Sequence, residues 1–133
     1  MTAKPTIKGI HHVALICSDY AKSKAFYTGV LGFVILDENY REERRSHKLD
    51  LALPDGSRLE LFSFPDAPPR PSRPEAQGLR HLAFAVENVG AAKTYLESHS
   101  LEVEPIRVDP HTGEKFTFFK DPDGWMIELG PVR

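Results

Sequence analysis

Cysteine is nearly missing from this chain. Cys17 is the one thiol in 133 residues, so no disulfide can form within the chain, and that usage fits a reducing compartment. Long apolar runs are missing too: no stretch reaches 18 residues, so no membrane-spanning helix is expected. The opening Met-Thr-Ala-Lys-Pro-Thr has no apolar segment behind its lysine, so no secretory leader is expected either. Neither charge dominates. Lys and Arg number 17 against 19 Asp and Glu, a formal charge of −2, which gives no global drive toward nucleic acid or acidic membrane. These absences predict a cytoplasmic protein with no nucleic-acid or membrane partner. The length suffices for one domain with a substantial core.

What is present is a passage written twice. Pro54-Asp55-Gly56-Ser57-Arg58-Leu59-Glu60-Leu61 returns as Pro122-Asp123-Gly124-Trp125-Met126-Ile127-Glu128-Leu129. Upstream of each copy, His12 precedes Asp19 by seven residues and His81 precedes Asn88 by seven. The chain therefore reads as two modules, about 7–64 and 79–130, within a single domain spanning 1–133. The joining segment 65–78 has five prolines in residues 65–74. Proline fixes φ and removes ladder donors, so this is an extended connector.

Within the first module, residues 7–17 are rich in aliphatic and β-branched side chains and predict a strand. Ser18 or Asp19 caps a helix with apolar Ala21, Ala25, Phe26, Val30 and Leu31, which Gly32 ends. Strands follow at 33–38, 48–53 and 58–64, the last two joined across Asp55-Gly56. The second module repeats the order: strand 79–86, Asn88 cap, helix 89–99, then strands 101–108, 115–120 and 125–129. The fold class is α+β, two βαβββ modules forming a cupped, barrel-like mixed sheet with helices outside.

Strand alternation sets the faces. His12 shares one face with Ala14 and Ile16, and His81 shares one with Ala83 and Ala85. The small residues leave room for a cavity. Glu60 and Glu128 sit among Leu59, Leu61, Ile127 and Leu129, where an unpaired carboxylate is costly. Two imidazoles and two carboxylates at equivalent places make a divalent-metal set: His12, Glu60, His81 and Glu128. The competing reading makes both glutamates solvent-facing residues of a one-sided sheet, or pairs Glu60 with Arg58 or another arginine.

The segments His11-His12-Val13-Ala14, Ser23-Lys24-Ala25-Phe26-Tyr27, Leu31-Gly32-Phe33, Leu79-Arg80-His81-Leu82-Ala83-Phe84 and Lys120 to Leu129 resemble the vicinal-oxygen-chelate superfamily. That superfamily includes glyoxalase I, bleomycin and fosfomycin resistance proteins, methylmalonyl-CoA epimerase and extradiol dioxygenases. Arg70-Pro71-Ser72-Arg73-Pro74-Glu75-Ala76 and Ile106-Arg107-Val108-Asp109-Pro110 resemble the YaeR-type bacterial glyoxalase-like group. The resemblance implies paired modules around one divalent ion (Zn, Ni, Co or Mn) with His12, Glu60, His81 and Glu128 as ligands. It implies a site within one chain or across a homodimer, and a small-molecule substrate, which a thiol adduct would also satisfy. Glu60 matches the glyoxalase pattern, whereas the epimerases carry Gln and the fosfomycin enzymes use three protein ligands. Ile16 stands where glyoxalase I has an arginine for glutathione.

The expected chemistry is that of a glyoxalase-like lyase or isomerase. A chelated α-oxygenated carbonyl or hemithioacetal is acidified at the neighbouring C–H, and a glutamate shuttles the proton through a metal-stabilised enediolate. Glu128 is the first choice of base and Glu60 the second. The alternatives are a metal-free, ligand-sequestering protein of the bleomycin-resistance type and a fosfomycin-type thiol transferase. Arg41, Lys115 and Phe116 are the candidate substrate contacts. Arg70 and Arg73 read as linker solvation and Trp125 as packing. His11 reads as packing or hydrogen-bonding on the helix side. His47, His99 and His111, which have no repeat partner, read as exposed or capping.

Overall fold

The computed structural model describes residues 2–71 and 73–133; Met1 and Ser72, the latter inside the proline connector, lie outside the described residues. Two compact units divide the chain, Met1–Ala67 and Pro68–Arg133. Each carries the same strand plan, so the doubled sequence becomes a doubled structure.

In the first unit β1 (Val13–Cys17), β2 (Val34–Arg41), β3 (Ser46–Ala52) and β4 (Arg58–Ser63) form a sheet in the order β1-β4-β3-β2. β1 runs parallel to β4, while β4 with β3 and β3 with β2 are antiparallel. The second unit has β5 (Leu82–Val86), β6 (Arg107–Val108), β7 (Lys115–Lys120) and β8 (Met126–Pro131), ordered β5-β8-β7-β6. β5 is parallel to β8, and the other pairs are antiparallel. The α+β class with two mixed sheets follows. Barrel-like closure does not: each sheet is open, with β1 and β2 or β5 and β6 as its edges. Four strands are too few to close round packed side chains.

Local chemistry fixes the elements. Asp19 accepts a hydrogen bond from the Lys22 amide and starts α1 (Tyr20–Ala25). Asn88 does the same from the Ala91 amide for α2 (Val89–Ser98). Such caps satisfy amides that the helix leaves unpaired. α1 continues as a π-helical turn over Phe26–Val30, so its buried residues are Ser23, Phe26 and Tyr27 rather than a regular stripe through Ala21 and Ala25. Gly56 and Gly124 hold φ of 87° and 80° in the two Asp-Gly turns. An L side chain rarely adopts that conformation, and glycine adopts it freely.

Each core lies on one face of its sheet. Leu49, Leu51, Leu59 and Leu61 are essentially inaccessible, and α1 packs on β4 above them. Phe119, Ile127, Leu129, Val89 and Leu96 do the same where α2 meets β7 and β8. Burying one such leucine contributes roughly 1.5–3 kcal/mol. On the opposite face Ala14, Ile16, Ala83 and Ala85 are exposed, as alternation requires. Among the described residues no helix is long and apolar enough to cross a membrane.

The strands that open the modules are shorter than their apolar runs. Pairing begins at Val13↔Leu59 and Leu82↔Ile127, one residue after the closing strands themselves start at Arg58 and Met126. His12 and His81 therefore sit one residue before their strands. The expected strand over 101–108 reduces to β6 and a single bridge from Val103 to Phe119. Pro105 cannot donate to a ladder, which interrupts it there.

Candidate functional site

The parallel pairing of first and last strand places a histidine beside a glutamate in each unit. Ala14 lies opposite Glu60, and Ala83 lies opposite Glu128. Two residues upstream of each alanine, the imidazole reaches the carboxylate. His12 Nδ1 is 3.5 Å from Glu60 Oε2. His81 Nε2 is 3.8 Å from Glu128 Oε2. Both distances exceed a hydrogen bond. Two ligand atoms about 2.1 Å from a shared cation stand roughly 3.0–3.4 Å apart in octahedral or tetrahedral shells, so each pair fits a metal after a small closure. The donor chemistry, neutral imidazole with carboxylate, fits as well. Side-chain exposure is 38% for His12, 13% for Glu60, 24% for His81 and 26% for Glu128, which leaves each couple reachable from solvent. No group of three or more His, Cys, Asp or Glu converges as a metal site among the described residues. What each unit brings together is a pair.

The first pair has company that sequence reading missed. Asp50 lies directly across from Glu60 in the β3–β4 ladder, and like charges opposed this way destabilise a sheet. Lys48 relieves them, its Nζ 3.6 Å from Asp50 Oδ1 and 3.9 Å from Glu60 Oε1. The ammonium also lies 5.9 Å from the centre of the Phe62 ring. Glu60 thus has a lysine as its cationic neighbour rather than the arginine considered from sequence. A countable signal existed: the Asp-Gly hairpin pairs Ala52 with Arg58, and that register puts Asp50 opposite Glu60.

His11 is exposed and its Nδ1 lies 2.8 Å from His12 Nδ1 in an edge-on ring pair, so it contacts the candidate ligand instead of packing on the helix side. His47 is half-buried, stacked on Tyr20 at 4.2 Å and beside Tyr40 at 4.7 Å, with Nδ1 3.2 Å from Ser63 Oγ. It is neither exposed nor a cap. Burial, followed by the hydrogen bond to Glu38, pushes the Tyr20 hydroxyl well above its ordinary range. Glu38 is held below the usual carboxylate range, first by the Lys24 hydrogen bond and then by that of Tyr20.

Two hollows flank the second pair. One of about 430 Å³ is lined by Ala83, Ala85, Lys115, Phe116 and Glu128. It therefore gathers Lys115 and Phe116, two of the expected substrate contacts, around the carboxylate. The other, about 490 Å³, holds His81, Phe118, Trp125 and again Phe116 and Glu128. Volumes of this size suit a small ligand. Trp125 and the connector arginines Arg70 and Arg73, both exposed, line this second hollow. Arg41 stands elsewhere, exposed at the end of β2 opposite Ser46.

The sequence model for the Glyoxalase/Bleomycin resistance protein/Dioxygenase superfamily matches residues 9–129. The chain belongs to that superfamily. YwkD of Bacillus subtilis and YaeR of Escherichia coli are each 58% identical over 123 residues, covering 92% of this chain and 96% and 95% of theirs. The crystal structure of a glyoxalase family protein from Enterococcus faecalis superposes with a TM-score of 0.86 at 50% identity, covering 92% of this chain and 97% of that one.

Proposed function

We propose that this protein is a divalent-metal-dependent lyase or isomerase of the glyoxalase type, acting on a small α-oxygenated carbonyl or hemithioacetal. The chain is a single domain of two modules, and the ligands are His12, Glu60, His81 and Glu128, serving one cation of the Zn, Ni, Co or Mn kind within one chain or across a homodimer. The observation that carries this reading is the repetition: each unit uses the same strand pairing to bring an imidazole within 4 Å of a carboxylate. A chance ion pair has no reason to recur at equivalent positions of two modules.

His12, Glu60, His81 and Glu128 would hold the cation, which would supply a Lewis acid for the substrate carbonyl and make the neighbouring C–H acidic. Glu128 takes that proton on a carboxylate oxygen and returns it to the adjacent carbon. Its place in the walls of both hollows gives substrate access to it, and Glu60 is the second candidate. Phe116 and Lys115 line the space beside Glu128, one excluding water and the other offering a cation. Arg41 is the first module's candidate contact for an anionic group. The exposed Ile7, Ile10, Ile16 and Leu79 give apolar surface that a second copy of the chain would cover, which supports a homodimer. Cys17 is buried, its thiol donating to the Phe62 carbonyl at 3.4 Å, in keeping with a cytoplasmic setting.

One observation favours the metal-free, ligand-sequestering alternative. Lys48 already supplies a positive partner to Glu60, so that carboxylate does not need a cation to be tolerated. Metal content separates the two. Dialysed protein loaded with zinc or nickel is expected to hold one ion per site by elemental analysis, and Glu128→Gln to keep its fold while losing turnover of methylglyoxal–thiol adducts or α-hydroxycarbonyls. Unchanged stoichiometry in both Glu60→Gln and His81→Ala discards the ligand set.

A further inference from the structure

The 490 Å³ hollow of the second unit is more cationic than proton transfer requires. Arg70, Arg73, Arg80, Arg107 and Lys120 all line it, together with Glu75, Glu104 and Glu128. Two of the five cations are already paired: Arg80 with Glu75 at 2.6 Å and Arg107 with Glu104 at 2.7 Å. Arg70, Arg73 and Lys120 have no carboxylate partner among the described residues, and all three are exposed. Five cations against three carboxylates leave the hollow net positive, which favours the entry of an anion.

The arginines are also held in position. The Arg70 guanidinium lies 5.2 Å from the centre of the Trp125 ring and donates to the Leu79 carbonyl at 3.3 Å. The Arg107 guanidinium lies 5.4 Å from the centre of the Phe118 ring. An aromatic face under a guanidinium restricts its plane, so its remaining N–H groups are presented to carboxylate or phosphate with less ordering to be done on binding. The floor is set by alternation. Phe116, Phe118 and Lys120 share one face of β7, and Phe118↔Glu128 and Lys120↔Met126 are cross-strand partners on β8. The same wall therefore carries an uncompensated ammonium at one end and the proposed base beside the aromatics.

We propose that this hollow binds the anionic tail, a carboxylate or a phosphate, of a compact substrate whose oxygenated carbonyl end reacts at Glu128. Arg70 and Lys120 are the tail's charge partners. The proline connector is thus part of the recognition surface. The anion site stands on the cavity itself, whereas the placement of the reacting end rests on the function proposed above.

Trp125 is the chain's sole tryptophan, so its emission reports on the guanidinium above it. Protein stripped of metal is titrated with glycerol 3-phosphate, with glycerate and with glycerol, by Trp125 fluorescence and by calorimetry in parallel. One or both anions are expected to bind saturably while glycerol at equal concentration does not, and the better anion assigns the tail. Arg70→Ala and Lys120→Ala are each expected to weaken that binding by about tenfold or more, as charged hydrogen bonds do when removed. Added sodium chloride should weaken it further. Lys120→Ala guards against Arg70→Ala merely loosening the connector. Equal binding of glycerol, no saturable binding by either method, or unchanged affinity in both variants overturns the proposal. A wild-type chain that binds the anion but holds no metal leaves this site standing and removes the ligand assignment instead.

Discussion

Lys48→Met puts the role of the first His–Glu pair to its sharpest test. The ammonium is 3.9 Å from Glu60 Oε1 and its side chain is 21% exposed. Unit charges about 4 Å apart interact by roughly 1 kcal/mol in bulk water and about 4 kcal/mol at an effective dielectric near 20. Partial exposure pulls the value toward the lower end. If Glu60 is a metal ligand, Lys48 competes with the cation and repels it. Its removal should then tighten zinc binding by at least about 1 kcal/mol, roughly fivefold. Methionine keeps much of the apolar stem against Phe62, so packing changes little. The assay is a competition titration against a chromogenic chelator, with thermal unfolding of the metal-free proteins alongside. If Lys48 exists instead to neutralise Glu60 and Asp50 in a metal-free binding protein, the outcome is different. Two opposed carboxylates then lose their neighbouring lysine, the melting temperature drops by several degrees, and zinc affinity does not rise. Unchanged or weaker zinc binding in Lys48→Met refutes the assignment of Glu60 as a ligand.

Gly124→Ala should lower stability by about 1–2 kcal/mol through backbone strain alone, since φ is 80° and an added Cβ meets nothing within 4 Å; urea denaturation checks it, and an unchanged midpoint contradicts the turn geometry. Ile127→Ala, at a side chain with no exposure, should cost about 2–5 kcal/mol by the same method, and a smaller loss would mean that the β8 core position is wrong. Glu38 has a depressed folded-state pKa, so its contribution is present above the unfolded carboxylate pKa and vanishes as pH falls through the folded one. The difference in unfolding midpoint between wild type and Glu38→Gln should accordingly be constant at neutral pH and shrink in acid. A difference that grows on acidification inverts the sign and rules out the Lys24 and Tyr20 contacts as its cause.

The elements that sequence revealed well were those with short-range causes. Asp19 and Asn88 cap their helices because a single side-chain oxygen meets an amide three residues on, and the Asp-Gly turns follow from glycine's freedom at positive φ. The facing of Glu60 and Glu128 followed from period-two alternation. What stayed hidden depends on contacts distant in sequence. Nothing in the periodicity of residues 65–78 tells where an extended proline segment will lie, so the place of Arg70 and Arg73 in a cavity wall was not legible. His47 lacked a repeat partner, and only the approach of Tyr20 from α1 and Tyr40 from β2 encloses it. The start of β1 was overestimated because Ile7 and Ile10 look like strand residues, while a strand needs a partner as well as a propensity. Lys48 and Asp50 could have been found by carrying the hairpin count four residues further.

The connectivity of each sheet has a bearing on how the protein comes into being. The segment that begins a module is hydrogen-bonded to the one that ends it, so neither His–Glu couple can exist until its module is almost wholly translated. Joining termini that distant imposes a loop-closure penalty before any long-range contact compensates. A nascent polypeptide therefore emerges from the ribosome with its acidic and imidazole groups still apart. The topology makes the meeting of each histidine with its glutamate a late event in the folding of its own module.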